Sequence, residues 1–401
     1  MDKAGKHSYV VLGGGGAMGR AIVRDLYESD PQSRILVADY NIEAARQAAR
    51  DLGTTAADGG RIEVKQADVR DTKALTALLR GHEVVINATN YYWNLQVMRA
   101  ALEAGAHYAD LGGLFHTTRK QLELDEDFRR AERLAVLGIG SAPGIMNVLA
   151  RYGAERLERV EAIRIYNGSI DKTPSASVLS FGYSLLTILD EAMMKPVIFE
   201  NGEFRETEPF SGTETVHFPP PVGTQSVHRA IHSEVATLPL TYQSKGIREC
   251  SFKINLAPSD IERLQFLVGL GLASTESIQV RGQKVSPRDV LQALVDKLPR
   301  TEAPPDDNEV LRVVVEGKEK GRRVRYTLDA FAEADRKRGL SAVSIDTGAP
   351  PSIVAQKVAR GEIRQRGVHP PETCIDPEPF FEEIARRGMR VRMTREEPLA
   401  G

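Results

Sequence analysis

Short apolar runs alternate with amphipathic stretches through the first third of the chain. Tyr9 to Leu12 reads as a strand buried on both faces, and Ile35 to Ala38 as a second. Between them, Ala17 to Glu28 places Ile22, Val23 and Leu26 at helical spacing. Ile42 to Leu52 follows as a helix with Asn41 as its N-cap. Ile62 to Ala67, Glu83 to Asn87, His107 to Leu111 and Val136 to Ile139 continue the strands. Thr72 to Arg80 and Leu95 to Glu103 continue the helices. Parallel neighbours need a crossover, and that crossover is right-handed, so repeated β-α units predict a doubly wound α/β fold of Rossmann type.

After Ala150 the rhythm changes. Val160 to Asn167 alternates as a strand, and a helix is predicted over Val178 to Met194. Arg248 to Leu256, Val310 to Glu316 and Arg322 to Leu328 read as antiparallel strands, the last two joined at Gly317 to Gly321. Ser259 with Glu262 predicts a capping box, and Pro287 opens a helix to Leu298. Helices over Pro351–Arg360 and Pro377–Arg387 and a short strand at Met389–Met393 close the chain. The middle region is thus a second domain of α+β type.

Composition narrows the partners. The 401 residues carry 53 Lys+Arg against 55 Asp+Glu, a net charge of −2, without the basic excess that a nucleic-acid partner requires. The longest uncharged run, Leu134 to Ala150, is broken by Ser141, Pro143 and Gly144, so no membrane span is predicted. Two cysteines, Cys250 and Cys374, are too few for a disulfide scaffold. The expectation is a cytoplasmic protein acting on a small molecule.

Gly14, Gly16 and Gly19 follow the first strand and open the first helix, whose residues Ala17 and Met18 face the same turn. The glycines allow a tight turn, close approach of a pyrophosphate, and close helix–strand packing. The helix N-terminus adds free N–H groups. Asp39 ends the second strand, twenty residues after Gly19, where a carboxylate accepts from ribose hydroxyls. An acid there repels a 2′-phosphate, so NAD is favoured over NADP. Asp68 ends the third strand as an adenine contact or as a helix cap beside Asp71. Asn87-Ala88-Thr89 forms the loop after the fourth.

With Val84 to Ala88, Asp110-Leu111-Gly112-Gly113, and Ala142-Pro143-Gly144 with Asn147, the order of motifs resembles the saccharopine dehydrogenase superfamily, nearest its lysine 6-dehydrogenase branch. Tyr91 with Asn94, Asn201-Gly202, and Arg366-Gly367-Val368 before Pro370-Pro371 extend the resemblance along the chain. It implies a Rossmann NAD-binding domain over residues 1–145. It implies an inserted α+β substrate and dimerisation domain over 146–345, and C-terminal helices over 346–401 that return to the first domain. It also implies a homodimer, and cofactor contacts from Gly112, Pro143 and Gly144. The implied activity is NAD-dependent oxidation of a C–N bond in an amino acid, with the lysine ε-amine as substrate. Saccharopine and carboxynorspermidine dehydrogenases, run reductively with NADPH, form the alternative, and a non-catalytic NAD sensor is the reading outside enzymes.

The chemistry needs a general base for the amine. Asp110, His228, His232 and Tyr91 are the candidates, with Arg229 or Arg248 as a carboxylate clamp. His228 and His232 stand four apart, as on one helical face, but lack a third ligand, so no metal is expected. Glu234 adds a negative charge suited to a cationic amine.

Overall fold

The computed structural model describes residues 7–53, 60–174, 179, 182–299 and 301–398. The first part runs β1 (His7–Leu12), α1 (Ala17–Ser29), β2 (Ser33–Asp39), α2 (Ile42–Arg50), β3 (Ile62–Gln66), α3 (Thr72–Leu79), β4 (Val84–Asn87), α4 (Asn94–Ala104), β5 (His107–Asp110), α5 (Leu114–Leu122), α6 (Asp125–Arg130), β6 (Leu134–Val136) and α7 (Ile145–Ala154). The second part runs β7 (Arg159–Asp171), α8 (Leu185–Met193), β8 (Val197–Glu200), β9 (Glu203–Glu206), β10 (Glu214–His217), β11 (Thr224–Arg229), α9 (Glu234–Thr241), β12 (Glu249–Asn255), α10 (Pro258–Gly269), β13 (Ile278–Val280), β14 (Gln283–Val285), α11 (Pro287–Val295), β15 (Asp307–Glu319) and β16 (Arg322–Glu333). The chain closes with α12 (Ala342–Ala359), β17 (Gly367–His369), α13 (Pro371–Cys374), α14 (Pro377–Arg386) and β18 (Arg390–Glu396).

The first sheet has the order β17-β6-β5-β4-β1-β2-β3, with every pairing parallel. The order reverses direction between β1 and β4, the switch point where doubly wound sheets take ligand. Tyr9, Val10 and Val11 are fully buried in the central strand, each side chain contributing about 1.5–3 kcal/mol on burial. The chain leaves this sheet after β6 and returns to its edge with β17, so the second domain is an insertion. The second sheet has the order β10-β11-β12-β7-β15-β16-β18, with the β8-β9 hairpin attached to β12. Arg390–Glu396 therefore ends in the second sheet, whereas α12 packs on α1. Gly348 is what lets these helices touch: a Cβ there would lie 2.6 Å from Ala21 Cβ.

Several expectations change. β12 pairs with β7 in parallel, because α8 and the β8–β11 segment intervene and act as a crossover. α12 starts at Ala342 and runs through Pro350 and Pro351. It is buried on nearly all sides between the two sheets, and that packing overrides the break the prolines suggested. The helix expected at Val178 starts at Leu185, while Val178, Ser180 and Phe181 lie outside the described residues. Helix α10 is capped by Ala257 with Pro258 at its first position, not by a Ser259 box. His228 lies on strand β11 and His232 precedes α9, so they share no helical face. Among the described residues, no helix is long and apolar enough to cross a membrane.

Candidate active site

The C-terminal edge of the first sheet gathers the glycine loop and the loops after β4, β5 and β6. Gly19 is the tightest point of the glycine loop, since a Cβ on it would sit 2.1 Å from Gly13 O. Gly14 packs against Val37 of β2, and Gly13 against Ala88 O of the loop after β4. Gly16 caps α1 without a side chain, so the first-turn amides of Ala17 and Met18 are offered outward. Asp39 takes the Gly15 N–H on Oδ2 and the Asn41 N–H on Oδ1, both at 2.9 Å. The loop and the acid thus form one cradle of the kind a dinucleotide needs. Asp68, expected as an adenine contact or a helix cap, pairs with Arg70 at 2.8 Å, which lowers its pKa, while Asp71 caps α3. Arg70 in turn lies 5.3 Å over the exposed Tyr40 ring.

Asn87 and Asp110 belong to a buried network beneath this edge. Asp110 is fully buried and accepts four hydrogen bonds: Gly112 N at 2.8 Å, Gly138 N at 2.7 Å, Tyr108 OH at 2.9 Å and Gln121 Nε2 at 2.6 Å. Burial raises its pKa against those four donors. Its oxygens hold two loops together, and this is the residue from which a general base was expected. Asn87 donates to Asn94 Oδ1 at 2.9 Å, and Asn94 donates to Gly112 O at 2.9 Å. Gly112 in turn touches Pro143, since a Cβ there would lie 2.8 Å from its Cγ. Gly144 (φ +132°) leaves no room for a side chain: its Cβ would sit 2.0 Å from Gly140 O.

Tyr91, also expected as a base, is engaged by an acid of the second domain. Its hydroxyl donates to Asp190 Oδ2 at 2.8 Å, and burial followed by Asp190 raises its pKa. Tyr92 donates to the same carboxylate, and Arg288 pairs with Asp190 at 2.7 Å. The cluster ties the first domain to α8 and α11. Arg229 lies beside the Gly212 turn with its Nε unpartnered, and Arg248 is exposed, so neither is brought to the glycine loop.

His232 is brought to the site. Ser233 next to it accepts from Gly113 N at 3.3 Å and donates to Leu114 O at 3.1 Å, seating the start of α9 on the loop after β5. The His232 ring stacks on Phe252, with centroids 3.7 Å apart and planes 6° apart. Its Nδ1 donates to Glu234 Oε2, because a carboxylate only accepts. Burial alone would lower the imidazole pKa; Glu234 and then Glu191 outweigh it and raise it. Nε2 has no hydrogen-bond partner among the described residues. Glu191 is buried, bonded by Tyr183 OH at 2.6 Å, and pushed up to about 7 chiefly by burial. Sequence reasoning missed Glu191, although an acid inside the apolar helix Leu185–Met193 is a legible signal. Among the described residues, no group of three or more His, Cys, Asp or Glu is placed to hold a metal ion.

These features coincide with known proteins. Residues 9–136 match the family model described as the saccharopine dehydrogenase NADP binding domain, and residues 140–389 match the saccharopine dehydrogenase C-terminal domain. The chain belongs to the saccharopine dehydrogenase family and is an oxidoreductase with a nicotinamide-dinucleotide domain. It is similar to the carboxyaminopropylagmatine dehydrogenase of Synechocystis sp., 22% identical over 95% of this chain and 96% of that one. It is similar to the carboxynorspermidine synthase of Vibrio alginolyticus, 23% identical over 84% of each. Its fold is similar to that of apo saccharopine dehydrogenase (L-Glu forming) from Saccharomyces cerevisiae, with a TM-score of 0.73 at 16% identity over 97% of this chain and 100% of that one.

Proposed function

We propose that this chain is a dehydrogenase of carboxylated secondary amines, joining an amine to an amino-acid aldehyde or running the reverse oxidation. Two relatives named for carboxyl-bearing polyamines support this reading over deamination of lysine. In the reductive direction, R–NH2 and O=CH–R′ lose water to give R–N=CH–R′; a hydride and a proton then give R–NH–CH2–R′. The nicotinamide, when bound, supplies or accepts the hydride.

The observation that carries the reading is the buried His232–Glu234 pair beside the loop after β5. Glu234 favours the imidazolium, so His232 Nε2 donates the proton as water leaves and as the imine is reduced. Stacking on Phe252 fixes the ring, and burial excludes bulk water from a hydrolysable imine. Ser233 keeps this acid in register with the Gly112–Pro143 contact.

The family model is named for NADP, while Asp39 favours NAD in this chain. The nearby Arg46 and Arg70 are paired with Glu43 and Asp68, and Asp39 would repel a 2′-phosphate held at this turn.

The test follows the absorbance of reduced nicotinamide with aspartate β-semialdehyde plus agmatine or 1,3-diaminopropane. Consumption of NADH that requires both amine and aldehyde supports the proposal. Turnover with lysine and NAD alone would move it to deamination. Dinucleotide binding without turnover of any pair would favour a sensor.

A further inference from the structure

The second sheet ends in an open strand. β18 pairs with β16 through all seven of its residues in unbroken register, from Phe331 opposite Arg390 to Arg325 opposite Glu396. Among the described residues no strand flanks its other side, and none of its backbone groups bonds outside the β16 ladder. The backbone groups of an edge strand point alternately to the neighbour and away, so half of these face outward as a template for a further strand. All seven residues except Val391 are exposed, and no proline or bulge blunts the edge before Pro398. Charged side chains on an edge ordinarily deter pairing, so the arginines decide what this one can accept. Arg392 pairs with Asp329 at 3.6 Å, and Arg395 with Glu319 at 2.7 Å and Glu397 at 2.8 Å, so both are balanced within the chain. Arg390 has no ion pair among the described residues and stands 5.7 Å over the Phe331 ring. Glu396 reaches Arg325 only at 3.9 Å, and Arg325 is held closer by Glu316 at 2.6 Å. One cation and one acid are thus left over, at opposite ends of the strand.

The strand, Arg390-Val391-Arg392-Met393-Thr394-Arg395-Glu396, is complementary to its own reverse about Met393. When two copies run antiparallel, Arg390 of each stands opposite Glu396 of the other. Val391 then opposes Arg395, Arg392 opposes Thr394, and Met393 meets Met393, so no like charges face each other. Opposed residues share a sheet face, and this register keeps them so. Met393 and Val391 lie on the face of Leu328 and Ala330, and Arg390 and Arg392 on that of Phe331 and Asp329. Met393 is 38% exposed although Leu328 beside it is fully buried, so a second Met393 would cover it. Neighbouring registers are worse. A slip of two residues one way sets Arg392 against its own copy, and two the other way sets Pro398, which cannot donate, opposite Arg390.

We propose that β18 is a self-association surface, to which a second copy of this chain adds its own β18 antiparallel and centred on Met393, joining the two second sheets into one. Main-chain hydrogen bonds supply the attraction, and the two Arg390–Glu396 pairs fix direction and register. The reciprocity of those pairs selects a second copy over an extended peptide of other sequence. The contact uses the same patch on both copies, so it closes at two. A one-strand contact is smaller than the roughly 1,200 Å² of a permanent interface, so monomer and dimer should exchange. The inference stands on the geometry of the strand and is independent of the amine-dehydrogenase reading.

Sedimentation and light scattering on the full chain test this. The wild type should pass from monomer to dimer as its concentration rises. Arg390→Glu or Glu396→Arg alone sets like charges opposite each other and should weaken association about tenfold or more; the two together restore opposite charges and should restore association. Met393→Cys gives a second readout. Antiparallel neighbours stand about 4.5–5.5 Å apart at Cα, within disulfide range, so this variant should cross-link two chains under mild oxidation and run at twice the mass on a non-reducing gel. Cys250 and Cys374 are buried and leave that readout clear. Wild-type protein that stays monomeric up to about 100 μM, where even a weak micromolar contact would form, overturns the surface. Single reversals that weaken association without rescue in the double variant overturn it too. A dimer that ignores charge reversal, or that Met393→Cys does not cross-link, meets through another face, such as the exposed Phe266 and Leu270 of α10, and also overturns it. The cross-linking result decides the matter even if a charge variant fails to fold.

Discussion

Asp110 offers the sharpest test of whether an acid at this sheet edge does chemistry or holds the site together. Asp110→Ala removes an acceptor shared by four donors, two of them backbone amides of the loops after β5 and β6. Leaving a buried donor unpaired costs about 1–3 kcal/mol each. Gly138 N and Gln121 Nε2 are both buried, so these two alone set a cost of about 2–6 kcal/mol. The Ala variant also sheds a carboxyl whose burial raises its pKa, which offsets part of the loss. A net loss of about 3 kcal/mol lowers the melting temperature of a chain of this length by roughly 4 °C. Because Gly112 and Gly138 both lean on Pro143, dinucleotide affinity should fall with stability. The assays are thermal melting, dinucleotide binding by fluorescence, and kcat at saturating dinucleotide. The anchor predicts weaker binding and a lower melting temperature, with kcat largely recovered at saturation. A variant that melts within about 2 °C of wild type yet loses kcat by about a thousandfold would refute the anchor and restore Asp110 as the base.

Asp39→Ala should raise the NADP to NAD ratio of kcat/KM by about tenfold, equal to about 1.4 kcal/mol, measured in parallel progress curves; an unchanged ratio would remove Asp39 from ribose recognition. The reductive rate should fall as pH rises through the raised pKa of His232, since the imidazolium is lost; His232→Asn should flatten that alkaline limb in a pH–kcat profile, and an unaltered limb would assign it elsewhere. Glu191, Glu309 and Glu372 are each raised to about 7 by burial, so the folded chain holds more protons than the unfolded one above about pH 4.5. Folding stability from these groups therefore declines as pH rises from about 4.5 through 7. Urea midpoints should drop across that window. Midpoints that rise throughout would contradict the burial of these acids as carboxyls.

The glycine turn, Asp39 and the order of the parallel strands were legible because each is local. A strand, a tight turn and a helix N-terminus lie within a dozen residues, and backbone sterics leave little choice but glycine at Gly19. Asn41 as the cap of α2 was legible for the same reason. Asp110 was legible as important but not in its role. Its four donors come from Tyr108, Gly112, Gln121 and Gly138, and the last two reach it only after α5 and β6 fold back. The partner of Tyr91 was not legible either, since Asp190 is 99 residues away.

The sequence by itself determined the alternation that builds the first sheet, the dinucleotide cradle and the near-balanced net charge. These follow from periodicity, steric freedom at glycine and net charge, which are properties of neighbours or of sums. Tertiary structure alone decided which acids stand near His232 and which are left without a cation. Glu191 and Glu309 come from a helix and a strand of the inserted domain, and Asp346 from the helix that follows it. Their burial and mutual repulsion exist only once the two sheets close over α12, because electrostatic coupling depends on distance and solvent access rather than on order along the chain.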